Sequence, residues 1–307
     1  MTEVQGSQRS TISIWIQAVR AFSFPAHIVP VLVGAMLALS YQGEAKWWLF
    51  PIVILCALLF HTGTNLLSDY FDYKKGVDQD YTFGSSKVIF EGLLTARQVM
   101  MGGWIAYLIG IAMGIILIWV RGLPIFYLGL AGFLGGVFYT AGPVGYKYRA
   151  LGDFLVFALM GPLMVIGSYF VLTGSYGAHV FYTSLPVGCL VAAILAANNY
   201  RDIAHDREAG IKTLASLLGY RGAKIWYGLL VLGAFLAVMI MVLYRVISPW
   251  TLLVLFSLPQ AYKNVDILRR NRPGKIEPVA LLDQQTAQVH MQFGVLLAIG
   301  LIIGAVT

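Results

Sequence analysis

The sequence predicts an all-α, polytopic membrane protein. Over 307 residues it is 59% hydrophobic and 11% charged, more apolar surface than a water-soluble core can hide. Its apolar stretches are continuous rather than alternating, so helices that satisfy their own backbone groups are expected in the lipid, not a barrel. Nine of these stretches approach the roughly 20 residues that cross a hydrocarbon layer about 30 Å thick.

In chain order the nine expected spans fall near residues 22–40, 47–68, 99–120, 123–141, 151–173, 180–198, 225–244, 247–262 and 287–306. The first follows a polar stretch, Met1 to Ser13, without a small-residue cleavage site, so it is read as a retained helix and not a signal peptide. The second and sixth run into acidic segments. The fourth carries Gly132-Phe-Leu-Gly135-Gly136, small residues that let neighbouring backbones approach, and packing rather than catalysis is expected of them. Cys56 and Cys189 lie inside apolar spans, where a thiol acts as a small hydrophobe, and no disulfide or thiolate metal framework is implied.

Charge sets the expected orientation. Lys46, Arg121 and Arg245 fall in the connections after spans one, three and seven, and the connection after span five has no Lys or Arg. Every other basic residue lies in the N-terminal segment or after spans two, four, six and eight. The positive-inside rule then puts the N-terminus in the cytoplasm and, after nine crossings, the C-terminus outside. Asp69, Asp72, Asp78, Asp80, Glu91, Asp202, Asp206 and Glu208 crowd the same cytoplasmic side, which that rule does not require. The net charge of +7 is read as a topology signal, and nucleic acid is not an expected partner.

The acidic residues form two asparagine-led segments, Asn65-Leu-Leu-Ser-Asp69-Tyr-Phe-Asp72 and Asn199-Tyr-Arg-Asp202-Ile-Ala-His-Asp206. Steps of four and three residues put Asn65, Asp69 and Asp72 on one face of a continuing helix, and steps of three and four do the same for Asn199, Asp202 and Asp206. Like charges on one face repel, and a helix C-terminus is already partly negative, so a counter-cation is expected. Hard carboxylate and amide oxygens point to Mg²⁺, which is usually held by one or two carboxylates together with substrate phosphate oxygens.

Arg20, Lys87, Arg201 and Lys212 are candidate contacts for such phosphate oxygens. Lys74, Lys75 and Arg207 are read instead as topology and headgroup charges, and Asp80, Glu208, Asp266 and Glu277 as solvated residues. His27, His61 and His290 are given no catalytic role. Tyr139, Tyr148 and Tyr200 suit either a substrate contact or an interfacial anchor.

These residues resemble the two aspartate-rich motifs of the UbiA superfamily of membrane prenyltransferases, N-D-x-x-D-x-x-x-D and D-x-x-x-D. Asp202 and Asp206 match the second. Asp69 and Asp72 match the first, with Ser68 in place of the opening Asn and Gly76 in place of the last Asp; Asp78 is a candidate to replace that Asp, and Asn65 to supply an amide oxygen. The departures resemble the MenA branch, the 1,4-dihydroxy-2-naphthoate polyprenyltransferases. The likeness includes Asp69-Tyr-Phe-Asp72-Tyr-Lys-Lys-Gly76-Val-Asp78, Tyr139-Thr-Ala-Gly142-Pro143 and Asn198-Asn199-Tyr-Arg201-Asp202 with its Gly210-Ile-Lys212-Thr213-Leu214 tail. Lys87 stands where that branch commonly has Arg, and Asp153 where it commonly has Glu.

The resemblance implies one domain over 1–307, a nine-helix bundle around a central cavity, with a polar cytoplasmic segment at 1–20 and aspartate-rich loops at 69–98 and 199–222. It implies Mg²⁺ held by Asn65, Asp69, Asp72, Asp78, Asp202 and Asp206, of which the four aspartates Asp69, Asp72, Asp202 and Asp206 serve catalysis. Arg20, Asn65, Lys87, Tyr139, Asn199, Arg201 and Lys212 bind substrate in that reading. The expected partners are a polyprenyl diphosphate, an aromatic acceptor and the lipid bilayer, in a bacterial cytoplasmic membrane with the site on the inner side. Rival expectations are another acceptor, such as 4-hydroxybenzoate or homogentisate, or a divalent-cation transporter. A transporter usually carries ionisable groups near the bilayer midplane, and no charged residue falls in the central part of any expected span.

Overall fold

A computed structural model describes residues 9–41, 43–77, 85–142 and 144–307. Its α-helices are α1 Thr11–Ala18, α2 Pro25–Leu37, α3 Phe50–Lys74, α4 Ala96–Arg121, α5 Leu123–Val137, α6 Gly152–Ala158, α7 Met164–Thr173, α8 Ala178–Arg201, α9 Ile203–Glu208, α10 Leu214–Leu243, α11 Leu258–Arg270 and α12 Leu282–Val306. Among the described residues no strand forms; a single bridge pairs Arg149 with Lys212.

Local chemistry sets several helix ends. Thr95 and Gln98 form a capping box at the start of α4, and Thr213 and Ser216 form one at the start of α10. Pro162 lies in a π-helical turn, Leu159–Leu163, that joins α6 to α7. There a Cβ on Gly161 would lie 2.5 Å from the Gly188 Cα, so α8 approaches this turn backbone to backbone.

Among the described residues, seven helical stretches are long and apolar enough to cross a membrane: Ala21–Ser40, Trp47–Lys74, Ala96–Arg121, Gly152–Thr173, Ala178–Arg201, Leu214–Leu243 and Glu277–Val306. They leave an apolar outer surface, with Leu108, Ile115, Trp119, Leu229, Leu236 and Phe256 exposed. Such a surface needs lipid as its solvent, and the chain is an integral membrane protein.

Two of the nine expected spans take other forms. Segment 123–141 is the shorter apolar helix α5, which ends at Val137 in a turn. Segment 247–262 starts as a 3₁₀ helix, Pro249–Ser257, and becomes α11 only where Pro259 enters a first helical turn. Proline is tolerated at that position because its missing N–H has no partner to lose there.

The packing surrounds a hollow. α3 lies along α4, α8 along α10 and α12, and α2 against α7 and α12. Of the glycine run in α5, a Cβ on Gly135 would strike Leu159 at 2.4 Å, so this residue is a close packing point, as expected; a Cβ on Gly132 would only touch Leu163, at 3.9 Å.

Candidate active site

Both acidic segments end in the same backbone device. Asp72 is followed by Gly76 at φ +69°, and Val77 N–H closes back to the Asp72 carbonyl at 2.9 Å. Asp206 is followed by Gly210, also at φ +69°, and Ile211 N–H closes back to the Asp206 carbonyl at 2.7 Å. This is the glycine-capped helix end, in which most other residues would meet a left-handed penalty of about 1–2 kcal/mol. Gly76 thus has a structural role at the position where the family motif carries its last aspartate.

The two ends meet. The His205 ring, in α9, hydrogen-bonds the Val77 carbonyl at 2.8 Å. Asn65, Ser68 and Val77 from one segment and Asn198, Asn199, Asp202, His205 and Asp206 from the other line a single cavity of about 450 Å³. Its remaining wall is largely apolar, built from α2, α3, α5 and α7 with the turn before it, and includes Val53, Phe60, Leu128, Leu163 and Val171.

Asp69 and Asp72 sit behind this wall, almost wholly buried. Asp69 pairs with Arg20 and accepts the Ser86 N–H at 3.1 Å. Arg20 holds φ +55°, a left-handed conformation that non-glycine residues adopt at a cost and that often marks a functional position. Asp72 accepts from Lys147 Nζ at 2.8 Å, from Ser68 Oγ at 3.2 Å and from the Tyr148 hydroxyl. Neutralised in this way, buried carboxylates are tolerable; alone they would not be.

On the second segment, α8 ends at Arg201, and Asp202 forms the junction to α9. Asn199 donates from Nδ2 to Asp153 Oδ1 at 3.0 Å, and Trp226 Nε1 donates to Asp153 Oδ2 at 2.8 Å. The Asn199 carbonyl oxygen is therefore the arm left for the cavity. Thr213 both caps α10 and donates to Asp206 Oδ2 at 3.0 Å. Burial raises the Asp206 carboxyl from its ordinary 3.8 to about 6, although the Thr213 hydroxyl opposes the change. Burial likewise lowers the Lys75 ammonium.

Of the substrate contacts expected from sequence, Arg20, Asn65, Tyr139 and Asn199 line the cavity. Arg201 is buried in a different network: it holds Asp202 through two nitrogens at 2.9 and 3.0 Å, and Asp283 of α12 at 3.0 Å. Lys87 and Lys212 lie outside the lining, and Lys212 pairs through its backbone with the Tyr148–Ala150 stretch. Tyr148 holds Asp72, while Tyr200 is buried between Tyr220 and Asn271. Asp78 lies outside the described residues, as do Asp80 and Pro143.

Sequence reasoning passed over Lys147 and Asp283, and marked Asp153 only as a departure from the MenA branch. Lys147 and Asp283 line the cavity. A lysine between two tyrosines after a glycine-rich span carries no periodic signal. Its role comes from a contact 75 residues away in the chain.

Among the described residues no three acidic, histidine or thiol groups stand together as a ready cage for a metal. The donors at the cavity mouth are carboxylate and amide oxygens, and the Cys56 thiol turns away to the Gly110 carbonyl. That donor set fits a hard cation completed by a substrate's own oxygens.

Comparison with known proteins agrees with this geometry. The chain is 31% identical over 290 residues to a 1,4-dihydroxy-2-naphthoate octaprenyltransferase of Bacillus subtilis, covering 94% of this chain and 92% of that one. It is 30% identical over 301 residues to human UbiA prenyltransferase domain-containing protein 1, covering 97% and 86%. A UbiA homolog from Archaeoglobus fulgidus, solved with GPP and Mg²⁺, shares the fold with TM-score 0.60 at 13% identity, over 93% of this chain and 99% of that one. The UbiA prenyltransferase family model matches residues 27–284, and the chain belongs to that family.

Proposed function

We propose that this protein transfers a polyprenyl group from its diphosphate to 1,4-dihydroxy-2-naphthoate, with loss of CO₂, giving a demethylmenaquinol, the reduced form of a demethylmenaquinone. The carrying observation is one cavity that has both acidic segments at its mouth and apolar helices for its walls. Of the relatives, the Bacillus subtilis octaprenyltransferase supports the choice of acceptor.

The chain's own residues have separable tasks in this reaction. Arg20 and Lys147 supply positive charge where diphosphate oxygens arrive, and each already rests on a buried aspartate. Asn65, Asp69, Asp72, Asp202 and Asp206, with Asp78, are the proposed holders of Mg²⁺, which when bound stabilises the negative charge of the departing diphosphate. Asp153 orients the Asn199 amide. The allylic C–O bond breaks with its electron pair leaving on diphosphate, and the allylic carbon bonds to the electron-rich ring. The ring carboxylate then departs as CO₂ and returns its electron pair to the ring. Apolar walls delay water long enough for ring capture.

Hydrocarbon burial favours keeping the isoprenoid tail in the membrane, at about 0.8 kcal/mol per CH₂. Gly114 and Gly129, which would meet nothing within 4 Å if they carried a Cβ, border the cavity between α4 and α5 and suit a lateral path for the tail. The proposed topology has nine crossings, with the N-terminus and the site on the cytoplasmic side. At about 2.0 Å per residue the 3₁₀ helix Pro249–Ser257 alone covers about 18 Å, and α11 continues it.

The test is a mass-spectrometric assay of purified protein with polyprenyl diphosphate, Mg²⁺ and a panel of aromatic acceptors. A product of prenylated, decarboxylated naphthoate mass is expected. Prenylation of 4-hydroxybenzoate or homogentisate instead would move the function to another acceptor.

A further inference from the structure

The apolar chamber above the acidic mouth is interrupted by a polar patch contributed by α2, α3 and the 3₁₀ turn before α2. His27 on α2 and His61 on α3 lie with ring centroids 4.0 Å apart and planes inclined at 48°. Both line the cavity beside Val31, Val53 and Phe60. His61 is engaged: its Nε2 is 2.6 Å from Ser23 Oγ and 3.0 Å from Asn65 Nδ2. The neighbouring Thr64 hydroxyl is engaged too, with the Phe60 carbonyl at 2.9 Å and the Tyr107 hydroxyl at 2.7 Å.

His27 differs from both. Neither of its ring nitrogens meets a partner among the described residues; Nδ1 is sealed within the protein, which leaves Nε2 as the nitrogen open to the cavity that the ring borders. Buried polar groups in folded proteins are nearly always hydrogen-bonded, and an exception calls for a partner that the protein alone does not supply. The patch stands among apolar side chains, apart from the carboxylates, so the missing partner is a polar group carried on a hydrophobic body.

We propose that His27 is the hydrogen-bonding contact for a ring hydroxyl of the aromatic acceptor, held in place by the His61 ring against it. This rests on the aromatic-acceptor reading above. A neutral imidazole offers one donor and one acceptor nitrogen, as a phenolic hydroxyl offers both roles. The isoprenoid tail carries no polar atom to satisfy it. The diphosphate belongs with Arg20 and Lys147, whose charges imidazole does not match. His27 therefore selects for a hydroxylated ring and sets its depth in the chamber.

The experiment compares wild type, His27→Leu and His27→Gln in Mg²⁺, polyprenyl diphosphate and 1,4-dihydroxy-2-naphthoate. His27→Leu is expected to raise the acceptor KM about tenfold, the worth of one such hydrogen bond, and to leave the diphosphate KM unchanged. His27→Gln, which keeps a donor and an acceptor, recovers most of the loss. An O-methylated acceptor is expected to be discriminated against by the wild type and not by His27→Leu. An acceptor KM equal in wild type and His27→Leu, or both KM values rising together, would overturn the assignment. If the wild type itself prenylates no aromatic acceptor, the functional reading fails first; a wild type that turns over while every His27 variant matches it defeats only the role of His27.

Discussion

Asp153 offers a sharp test of how the site is held, because it touches no expected substrate and yet governs Asn199. Its two oxygens accept from Asn199 Nδ2 at 3.0 Å and Trp226 Nε1 at 2.8 Å, in a side chain that is 2% exposed. Asp153→Ala strands two donors, Asn199 Nδ2 buried and Trp226 Nε1 half-buried. At roughly 1–3 kcal/mol for a buried unsatisfied group and less for the half-buried one, the folded state should lose about 1–4 kcal/mol. Asp153→Asn is more informative, since one of its arms becomes a donor. If its carbonyl stays on Trp226, its amino group faces Asn199, and that amide must turn over to offer oxygen. The cavity then meets N–H groups where it met a carbonyl oxygen, which repels a cation. One such reversal is worth about 1–3 kcal/mol, or roughly 5- to 150-fold in Mg²⁺ affinity. The assay is Mg²⁺ titration of prenyl transfer, paired with thermal melting of the metal-free protein in nanodiscs. Asp153→Asn should melt close to wild type and need far more Mg²⁺. An unchanged Mg²⁺ requirement would refute the claim that Asp153 orients Asn199.

Other outcomes follow from the same geometry. Asp72→Asn and Asp202→Asn should each lower prenyl transfer by about 100-fold or more, while size-exclusion profiles stay monodisperse. EDTA should stop product formation, and added Mg²⁺ should restore it, as read by mass spectrometry of the quinol product. Asp206 carries a folded-state carboxyl near 6 against an ordinary 3.8, so its proton stabilises the metal-free fold at low pH. That contribution, roughly 3 kcal/mol, is complete below about pH 4 and is lost as pH rises through about 6. The melting temperature of metal-free protein should therefore fall across that window, and Asp206→Asn should flatten the slope. Mg²⁺ affinity should move the other way, weakening as pH drops below about 6, because the ion must displace the same proton.

The linear chain determined the class of this protein, because composition and span length are additive properties that no folding event changes. It also determined which side chains share a face of α3: spacing by four and three residues aligns Asn65, Asp69 and Asp72 on any continuing helix. What one helix meets on another is a different kind of fact. Only packing decided that Arg20 comes to Asp69 across 49 residues, Lys147 to Asp72 across 75, and His205 to the Val77 carbonyl across 128. Packing also withdrew Arg201 from the cavity, since Asp202 and Asp283 together offer its guanidinium more hydrogen bonds than an open mouth does. Helical periodicity is local and can be read from a few neighbours, whereas the partner of a buried charge is set by how whole helices lie against one another.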